Sequence, residues 1–301
     1  MKAAKSFLIV LIVLCSCQQE AVHRNLINLN GEWEIAKTDT FSIMPGEFKS
    51  KVPVPGLVDL SSPALDTNRS YKNGTYWYKT NFTIKEGYPE LVRLRIGKVK
   101  YHARIYLNKK YIGEHLYCFT SAIFDIREFL NPSGENNELL IGVGTAGNMP
   151  DTVIWGSDFE KLTYIPGIYD DVQVILSNYP FISNIQTVPL VAEKKVRIVA
   201  DLDYNERESK PALSYSIKEL NSGKTVARGK TNSEDFIVSI PGCQLWSPES
   251  PSLYELTLST SADAKTVRFG MRSFSFDANT GRALLNEKPY FMRGTKIPPR
   301  V

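Results

Sequence analysis

The chain has 301 residues, of which 43% are apolar and 23% are charged, and its formal net charge is +4. This length allows two domains with buried cores, and the weak charge, without a basic stripe, argues against nucleic acid as a partner. The three histidines and four cysteines have no metal-ligand spacing, so we expect neither a metal nor another cofactor.

The N-terminus is predicted to be a targeting segment rather than part of the fold. Lys2 and Lys5 precede an unbroken apolar run over residues 7–14. This run is far shorter than the roughly 20 residues that a membrane-spanning helix needs. Residues 1–16 are therefore predicted to be a signal peptide, and its removal would lower the formal net charge by the two lysines.

The end of the signal peptide resembles a bacterial lipobox. Residues 14–17 read LCSC, which predicts that Cys17 is lipidated after cleavage and anchors the chain without a transmembrane helix. An ordinary secretory signal that contains cysteines is the alternative. Gln18 stands where an aspartate would indicate retention at the inner membrane, so the resemblance to Gram-negative lipoproteins favours the outer membrane, facing the periplasm or the cell surface.

Most apolar segments that follow have the period of two that is typical of strands. Residues 101–107, 139–143 and 171–176 are short, rich in β-forming residues and bounded by turn residues. Residues 108–110, NKK, are predicted to be a turn, and one helical turn is predicted near residues 126–130. The many short strands predict an all-β sandwich.

A second domain is predicted to begin after residues 178–180, NYP. Segments 196–202 and 212–217 again have a strand pattern, and a domain that ends near Phe276 has the size of an immunoglobulin-like sandwich. Cys118 and Cys243 fall in different predicted domains, so a disulfide between them is not expected, and each is interpreted as a small buried apolar residue.

An ordered series of motifs resembles glycoside hydrolase family 2. The early motifs are residues 29–33 (LNGEW), 52–56 (VPVPG), 76–82 (YWYKTNF) and 166–172 (PGIYDDV), and the late ones are residues 246–248 (WSP), 253–256 (LYEL), 269–272 (FGMR) and 285–295 (LNEKPYFMRGT). Each motif alone is weak, but their order and spacing together are specific. One departure is Lys109 and Lys110, where the family commonly has Asn-Gly; this predicts a longer hairpin loop.

The resemblance implies an architecture for nearly the whole mature chain. A lipidated linker (17–25) precedes a jelly-roll, galactose-binding-like β-sandwich (26–178), an immunoglobulin-like β-sandwich (179–276) and the truncated start of a catalytic (β/α)8 barrel (277–301). The family hydrolyses β-linked glycosides with two glutamates at the ends of barrel strands. Both would lie downstream of residue 301, so we expect this chain to have no catalytic residues and no glycosidase activity alone. Asp170 and Asp171 do not replace them, since adjacent strand residues point to opposite faces.

Two loops are candidates for carbohydrate contact. Asn73 matches an asparagine that contacts substrate at the barrel mouth in some family members. Trp155 offers an aromatic face for a sugar ring, and the loop that follows contains Asp158, Glu160 and Lys161, near the family's acidic position. The alternative for these three charged residues is a solvated loop with a surface ion pair of little energetic consequence.

Two functions from different classes therefore stay open. The first is the N-terminal, non-catalytic portion of a family 2-like glycosidase that acts on β-linked glycosides. The second is a lipid-anchored carbohydrate-binding or scaffold protein without catalysis. A non-functional remnant is a third interpretation, and it predicts aggregation through exposed apolar surface.

Overall fold

The computed structural model describes residues 24–66, 71–85, 87–156, 163–204 and 210–294. Almost all regular structure in these ranges is β, as the sequence predicts. Helical structure in the described ranges consists of short 3-10 turns: Val58–Leu60, Arg127–Phe129, Ala146–Asn148 and Val191–Glu193. None of the described helical segments has the length and hydropathy of a membrane-spanning helix.

The first part of the chain forms a jelly-roll sandwich. Its strands are β1 Asn25–Asn28, β2 Gly31–Thr38, β3 Ser50–Val54, β4 Gly56–Leu57, β5 Thr75–Thr83, β6 Leu91–Ile96, β7 Val99–Lys100, β8 Ala103–Leu107, β9 Lys110–His115, β10 Ala122–Asp125, β11 Asn136–Val143, β12 Gly167–Ile168 and β13 Val172–Ser177. A four-stranded sheet, β1-β13-β6-β10, faces a six-stranded sheet, β3-β2-β5-β11-β8-β9, and β4-β12-β7 form a small third sheet. The pairs within these sheets are antiparallel.

Alternation along the strands places the core between the two larger sheets. In β6, Leu94 and Ile96 are buried in the core, while Arg93 and Arg95 between them are on the outer face. Strand β5 departs from this pattern, because Trp77 on its outer face is also buried. The indole Nε1 donates to Thr38 Oγ1 at 2.8 Å, and the ring packs edge-on against Phe41. The segment after β2 therefore covers part of the outer face of the six-stranded sheet.

The β8–β9 hairpin corrects one prediction from the sequence. Leu107 pairs directly with Lys110, so the loop has only two residues and is not longer than usual. Asn108 and Lys109 both have positive φ, 50° and 66°, as a type I′ turn requires. The Asn108 side chain secures this turn: its Nδ2 donates to Phe129 O and Asn137 Oδ1, and its Oδ1 accepts from the Glu138 amide. These bonds offset the cost of the left-handed backbone conformation at Lys109.

The second part of the chain forms an immunoglobulin-like sandwich. Its strands are β14 Phe181–Leu190, β15 Lys195–Asp203, β16 Leu213–Glu219, β17 Thr225–Thr231, β18 Asp235–Ser239, β19 Tyr254–Ser259 and β20 Ala264–Phe269. Sheet β14-β15-β18 faces sheet β17-β16-β19-β20. A separate apolar core lies between them, with Ile198, Ile217 and Leu256 among its fully buried members. Two sheets of alternating strands around one core account for this domain.

A small sheet follows the second sandwich. It contains β21 Phe274–Phe276, β22 Ala283–Leu285 and β23 Lys288–Pro289. The β22–β23 turn repeats the device of the β8–β9 turn: Asn286 and Glu287 have φ of 51° and 65°. The Asn286 side chain donates to Trp246 O and accepts from the Ser273 amide, both at 3.0 Å. This sheet is thereby tied to the second sandwich.

Buried polar groups join the two sandwiches. The carboxylate of Asp263, in the turn before β20, is fully buried and accepts from Arg24 Nη2 at 2.6 Å and from the Ile182 amide at 2.7 Å. Ser177 Oγ, at the end of β13, donates to the same carboxylate at 3.3 Å. The Arg24 guanidinium also lies over the Phe181 ring, 4.2 Å from its centroid. The buried, negatively charged carboxylate of Asp263 therefore holds the two sandwiches together through its bonds to Arg24, Ser177 and Ile182.

Candidate functional site

The loop that carries Asn73 is held at one end of the six-stranded sheet. Tyr71 is buried, and Gly74 has a φ of +107° with Lys37 packed so close that a Cβ on Gly74 would lie 2.9 Å from Lys37 Cε. Thr145 Oγ1 donates to Lys72 O at 2.9 Å. Asn73 itself is exposed. The backbone is thus fixed while the carboxamide is accessible to a ligand.

The loop packs beside a tight turn that leaves strand β11. Asn148 caps this turn. Its side-chain Oδ1 accepts from the backbone amide of Thr145 at 2.8 Å, and its backbone amide donates to Thr145 O at 2.9 Å. A Cβ built on Gly147 would lie 3.1 Å from Lys72 O and 3.8 Å from Asn73 Oδ1. Glycine at position 147 therefore permits the close approach of the Asn73 loop.

Trp155 packs in an apolar cluster that includes Met149, at the end of the same turn. Its ring meets Tyr164 at 5.0 Å and Tyr101 at 5.6 Å between centroids, both edge-on. It belongs to a small apolar cluster around Tyr101, Cys118 and Met149. The indole is half-buried, so part of its surface packs and part is accessible. Residues 145–149 thus contact the Asn73 loop through Thr145 and Gly147, and they contribute Ala146 and Met149 to the cluster that contains Trp155.

Two aromatic side chains near Trp155 were not predicted from the sequence. Phe119 is 54% exposed, and its Cζ would lie 2.8 Å from a Cβ on Gly156, next to Trp155. Tyr117 is 60% exposed and packs edge-on against His115. Both belong to the 116–121 connection between β9 and β10. The only sequence signal was a pair of aromatics around Cys118, which does not distinguish a core segment from a surface rim.

Electrostatics at this end of the sandwich are governed by burial. Burial lowers the pKa of His102, although the hydrogen bond between His102 Nε2 and the acceptor Glu114 Oε2, at 3.0 Å, opposes this shift. Burial raises the pKa of the Cys118 thiol to about 11, so the thiol stays protonated and acts as an apolar residue, as predicted. Its carbonyl accepts a hydrogen bond from the Tyr169 hydroxyl. Both Cys118 and Cys243 are free, and Cys243 is only partly buried.

The adjacent carboxylates of Asp170 and Asp171 have different partners. Asp170 Oδ2 accepts from Lys98 Nζ at 2.7 Å, and this hydrogen bond lowers the pKa of Asp170. Asp171 Oδ1 accepts from Asn30 Nδ2 at 2.7 Å. The two groups serve as structural pairs and do not converge. Across the described parts of the chain, no group of three or more His, Cys, Asp or Glu residues is placed to hold a metal ion.

The remaining predicted site residues lie outside the described ranges. Asp158, Glu160 and Lys161 fall within residues 157–162, and Cys17 falls within residues 1–23. Of the predicted carbohydrate-contacting residues, the structure therefore places Asn73 and Trp155. Asn73 offers an accessible amide and Trp155 a partly exposed indole, and the surroundings of both include residues 145–149. Amides and aromatic faces are the groups that hydrogen-bond and stack on sugar rings.

Two consecutive β-sandwiches, the first with an accessible amide and a partly exposed indole, define a two-domain, all-β protein. The chain belongs to glycosyl hydrolase family 2. The family's sugar binding domain matches residues 19–180, and a second model, described as glycosyl hydrolases family 2, matches residues 181–272.

The similarities to individual proteins are low in identity but extend over most of this chain. A β-glucuronidase of Bacteroides fragilis is 23% identical over 99% of this chain and 43% of its own length. A β-galactosidase of Thermoanaerobacter pseudethanolicus is 21% identical, with 90% of this chain and 38% of that protein covered. The chain thus spans less than half the length of these relatives.

Solved structures have the same fold. A β-glucuronidase from an uncultured Clostridium species superposes with a TM-score of 0.70 and 23% identity, covering 90% of this chain and 48% of that one. A Ruminococcus gnavus β-glucuronidase, in complex with N1-substituted uronic isofagomine, gives a TM-score of 0.73 at 16% identity, covering 92% of this chain and 50% of that one.

Proposed function

We propose that the chain is the N-terminal, non-catalytic portion of a glycosidase that hydrolyses β-linked glycosides. The observation that carries this proposal is the ordered pair of family 2 domains over residues 19–272, in a chain that spans 43% of the Bacteroides fragilis relative. The relatives' names support β-glucuronides and β-galactosides as the substrate range. The jelly roll would present Asn73 toward a sugar, and the second sandwich would act as a spacer.

The chemistry requires two carboxyl groups that converge on the substrate, which the adjacent Asp170 and Asp171 do not provide. Retaining glycosidases use two carboxyl groups about 5 Å apart, one as acid and base and one as nucleophile. Asp170 is paired with Lys98 and Asp171 with Asn30, so each serves the sandwich itself. The reaction is therefore assigned to a catalytic barrel beyond the described sandwiches.

The purified 301-residue chain is expected to give no turnover of 4-nitrophenyl β-glucuronide or β-galactoside. The measurement is release of nitrophenolate, with the full-length Bacteroides fragilis β-glucuronidase as the positive control. Turnover by this chain that disappears in the Asp170→Asn or Asp171→Asn variant would contradict the proposal, because it would place the reacting carboxylates within the sandwiches.

A second candidate function is a lipid-anchored carbohydrate-binding protein at the outer membrane. It is favoured by the partly exposed Trp155 and by Phe119, which packs against Gly156, while Tyr117 is exposed in the same 116–121 connection as Phe119. The anchor rests on Cys17 and the apolar run of residues 7–14. In this function the chain would hold glycans near the cell surface without cleaving them.

Glycan arrays test this binding function. Specific glycan binding is expected to weaken about tenfold or more in Trp155→Ala, because the stacking of a sugar ring on the aromatic face is lost. It is also expected to weaken in Asn73→Ala. Tyr111→Ala is the matched control, because Tyr111 is an exposed aromatic residue beside the β8–β9 turn, at the opposite end of the sheet. Binding that is equal in all three variants would count against a glycan site at the Trp155 end.

A further inference from the structure

A cavity of about 240 Å³ lies where the two sandwiches meet. Its floor is the outer face of the four-stranded sheet, and its wall is the start of the second sandwich together with β20. None of the lining residues belongs to the Asn73–Trp155 site. They are Arg24, Leu26, Arg93, Arg95, Ile123, Gln173, Ile175, Phe181, Ser183 and Lys265.

The cavity is lined by four cationic side chains and by no carboxylate. Arg93 and Arg95 face outward from β6 because they alternate with the core residues of that strand. Strand register places Ile123 and Gln173 on either side of Arg95. Arg24 and Lys265 come from distant parts of the sequence. The fold has therefore concentrated positive charge at this point.

Two of these cations form ion pairs with carboxylates that do not themselves line the cavity. Arg24 pairs with the buried Asp263, and Arg93 Nη1 pairs with Asp203 Oδ2 at 2.6 Å. Both partners belong to the second sandwich, so these two ion pairs cross the junction.

The other two cations have only neutral hydrogen-bond partners within the described ranges. Lys265 Nζ donates to Ser183 O at 2.5 Å, and Arg95 Nη2 donates to Ser121 Oγ at 3.3 Å. Asp263 and Asp201 also exert a favourable field on the Lys265 ammonium, but burial and the charges of Arg24 and Arg95 prevail and lower the Lys265 pKa. Asp170 likewise interacts with the Arg95 charge, but among the described residues neither cation has a carboxylate as a hydrogen-bond partner. A half-buried ammonium beside a guanidinium is therefore a site of only partly compensated positive charge.

We propose that this cavity binds a sulfate or phosphate group between Arg95 and Lys265. The oxyanion offers acceptors to the guanidinium and the ammonium, which are the standard partners of such groups. The cavity volume equals that of about eight liquid waters, so there is room for more than a bare ion. The apolar floor at Leu26 and Ile123 suits one face of a sugar ring, and the same chemistry therefore fits a free oxyanion or a sugar sulfate or phosphate ester.

Thermal unfolding of the purified chain, titrated with sodium sulfate and with glucose 6-sulfate, tests the proposal. Sulfate also stabilises proteins generally, by exclusion from their surface, so sodium chloride at matched ionic strength and unmodified glucose are included. We expect a saturable rise in the unfolding temperature with both sulfates. Tighter binding of glucose 6-sulfate would identify the sugar ester as the natural form, and equal binding would identify the free oxyanion.

Variants distinguish the site from a general salt effect. Arg95→Gln and Lys265→Met are each expected to raise the apparent dissociation constant about tenfold, the effect of losing one charged hydrogen bond. Lys224→Met is the control, because it removes the same charge from an exposed turn. If Lys265→Met is too unstable to measure, Arg95→Gln on the outer sheet face carries the test. An equal, unsaturable response in the wild type and in all variants would overturn the proposal.

Discussion

Replacing Asp263 with alanine is expected to lower the free energy of unfolding by about 3–5 kcal/mol. The carboxylate is fully buried and carries the charge that neutralises Arg24, whose side chain is only 13% exposed. Without Asp263, the guanidinium would be left desolvated and unpaired, and the Ile182 amide would lose its acceptor. The cost is large because removing one partner of a buried pair leaves the other uncompensated.

Replacing Asp263 should also reduce the cooperativity of unfolding between the two sandwiches. Arg24 and Ser177 belong to the first sandwich, whereas Ile182 and Asp263 belong to the second. Urea unfolding followed by far-ultraviolet circular dichroism and by tryptophan fluorescence is therefore expected to give one transition in the wild type. In Asp263→Ala, the two domains are expected to unfold at separate midpoints.

Two further variants make this test specific. Asp235→Ala removes an aspartate from an exposed pair with Arg197, whose side chains are 48% and 49% exposed, and it should leave stability nearly unchanged. Arg24→Met combined with Asp263→Leu should recover much of the loss, because apolar groups of similar volume replace both charges. A loss in Asp263→Ala no larger than that in Asp235→Ala would show that the junction charge does not hold the sandwiches together.

Most of the fold could be predicted from local pattern. Strands such as β8 and β19 alternate between buried and partly exposed residues, and this alternation is visible within a single strand. The Arg24–Asp263 pair could not be predicted, since its members are 239 positions apart and nothing in either neighbourhood marks the other. Ion pairs between residues that are distant in sequence depend on the order of the strands in the sheets. The spacing of the strands along the chain does not determine that order.

The hairpin turns show why a local rule failed. Lys109 and Glu287 are poor residues for a left-handed turn, and a longer loop at Lys109 was the natural expectation. In both turns the preceding asparagine, Asn108 or Asn286, bonds to distant backbone through its side chain. Those tertiary bonds compensate for the unfavourable left-handed backbone conformation of the second turn residue. The asparagine at the first position is therefore a better indicator of a two-residue turn than the residue that follows it.

The candidate site was predictable only in part. Asn73 and Trp155 could be selected as residue types suited to sugar contact, but the turn that brings them together depends on Thr145 bonding to Lys72 O. The half-buried state of Trp155 follows from its packing on Tyr101 and Tyr164, which are far apart in sequence. Residue type predicts what a side chain can bind, whereas its exposure follows from the assembled fold.

Replacing Trp33 with alanine is expected to lower the free energy of unfolding of the first sandwich by about 3–5 kcal/mol. Trp33 is 2% exposed and is one of the largest side chains in the core. Its Nε1 donates to Leu29 O at 2.8 Å, and the amide of Leu29 donates to Val172 O at 2.9 Å. The indole therefore fills the core and fixes the entry to β2 at the same time, so alanine would leave a cavity and an unpaired carbonyl.

A graded series separates these two contributions. Trp33→Phe keeps most of the apolar volume but loses the bond to Leu29 O, so it should cost about 1–3 kcal/mol. Trp155→Ala is the control with the same change at a half-buried ring, and it should cost less than Trp33→Ala because less surface leaves water there.

Hydrogen exchange locates the damage. In the Asp263→Ala background, where the sandwiches are expected to unfold separately, adding Trp33→Ala should lower the protection of amides in residues 25–177. Amides of residues 181–271, whose core is separate, should keep most of their protection. Unchanged protection in the first sandwich would mean that the Trp33 side chain does not stabilise this domain. Equal loss in both sandwiches in that background would mean that contacts other than Asp263 and its partners couple them.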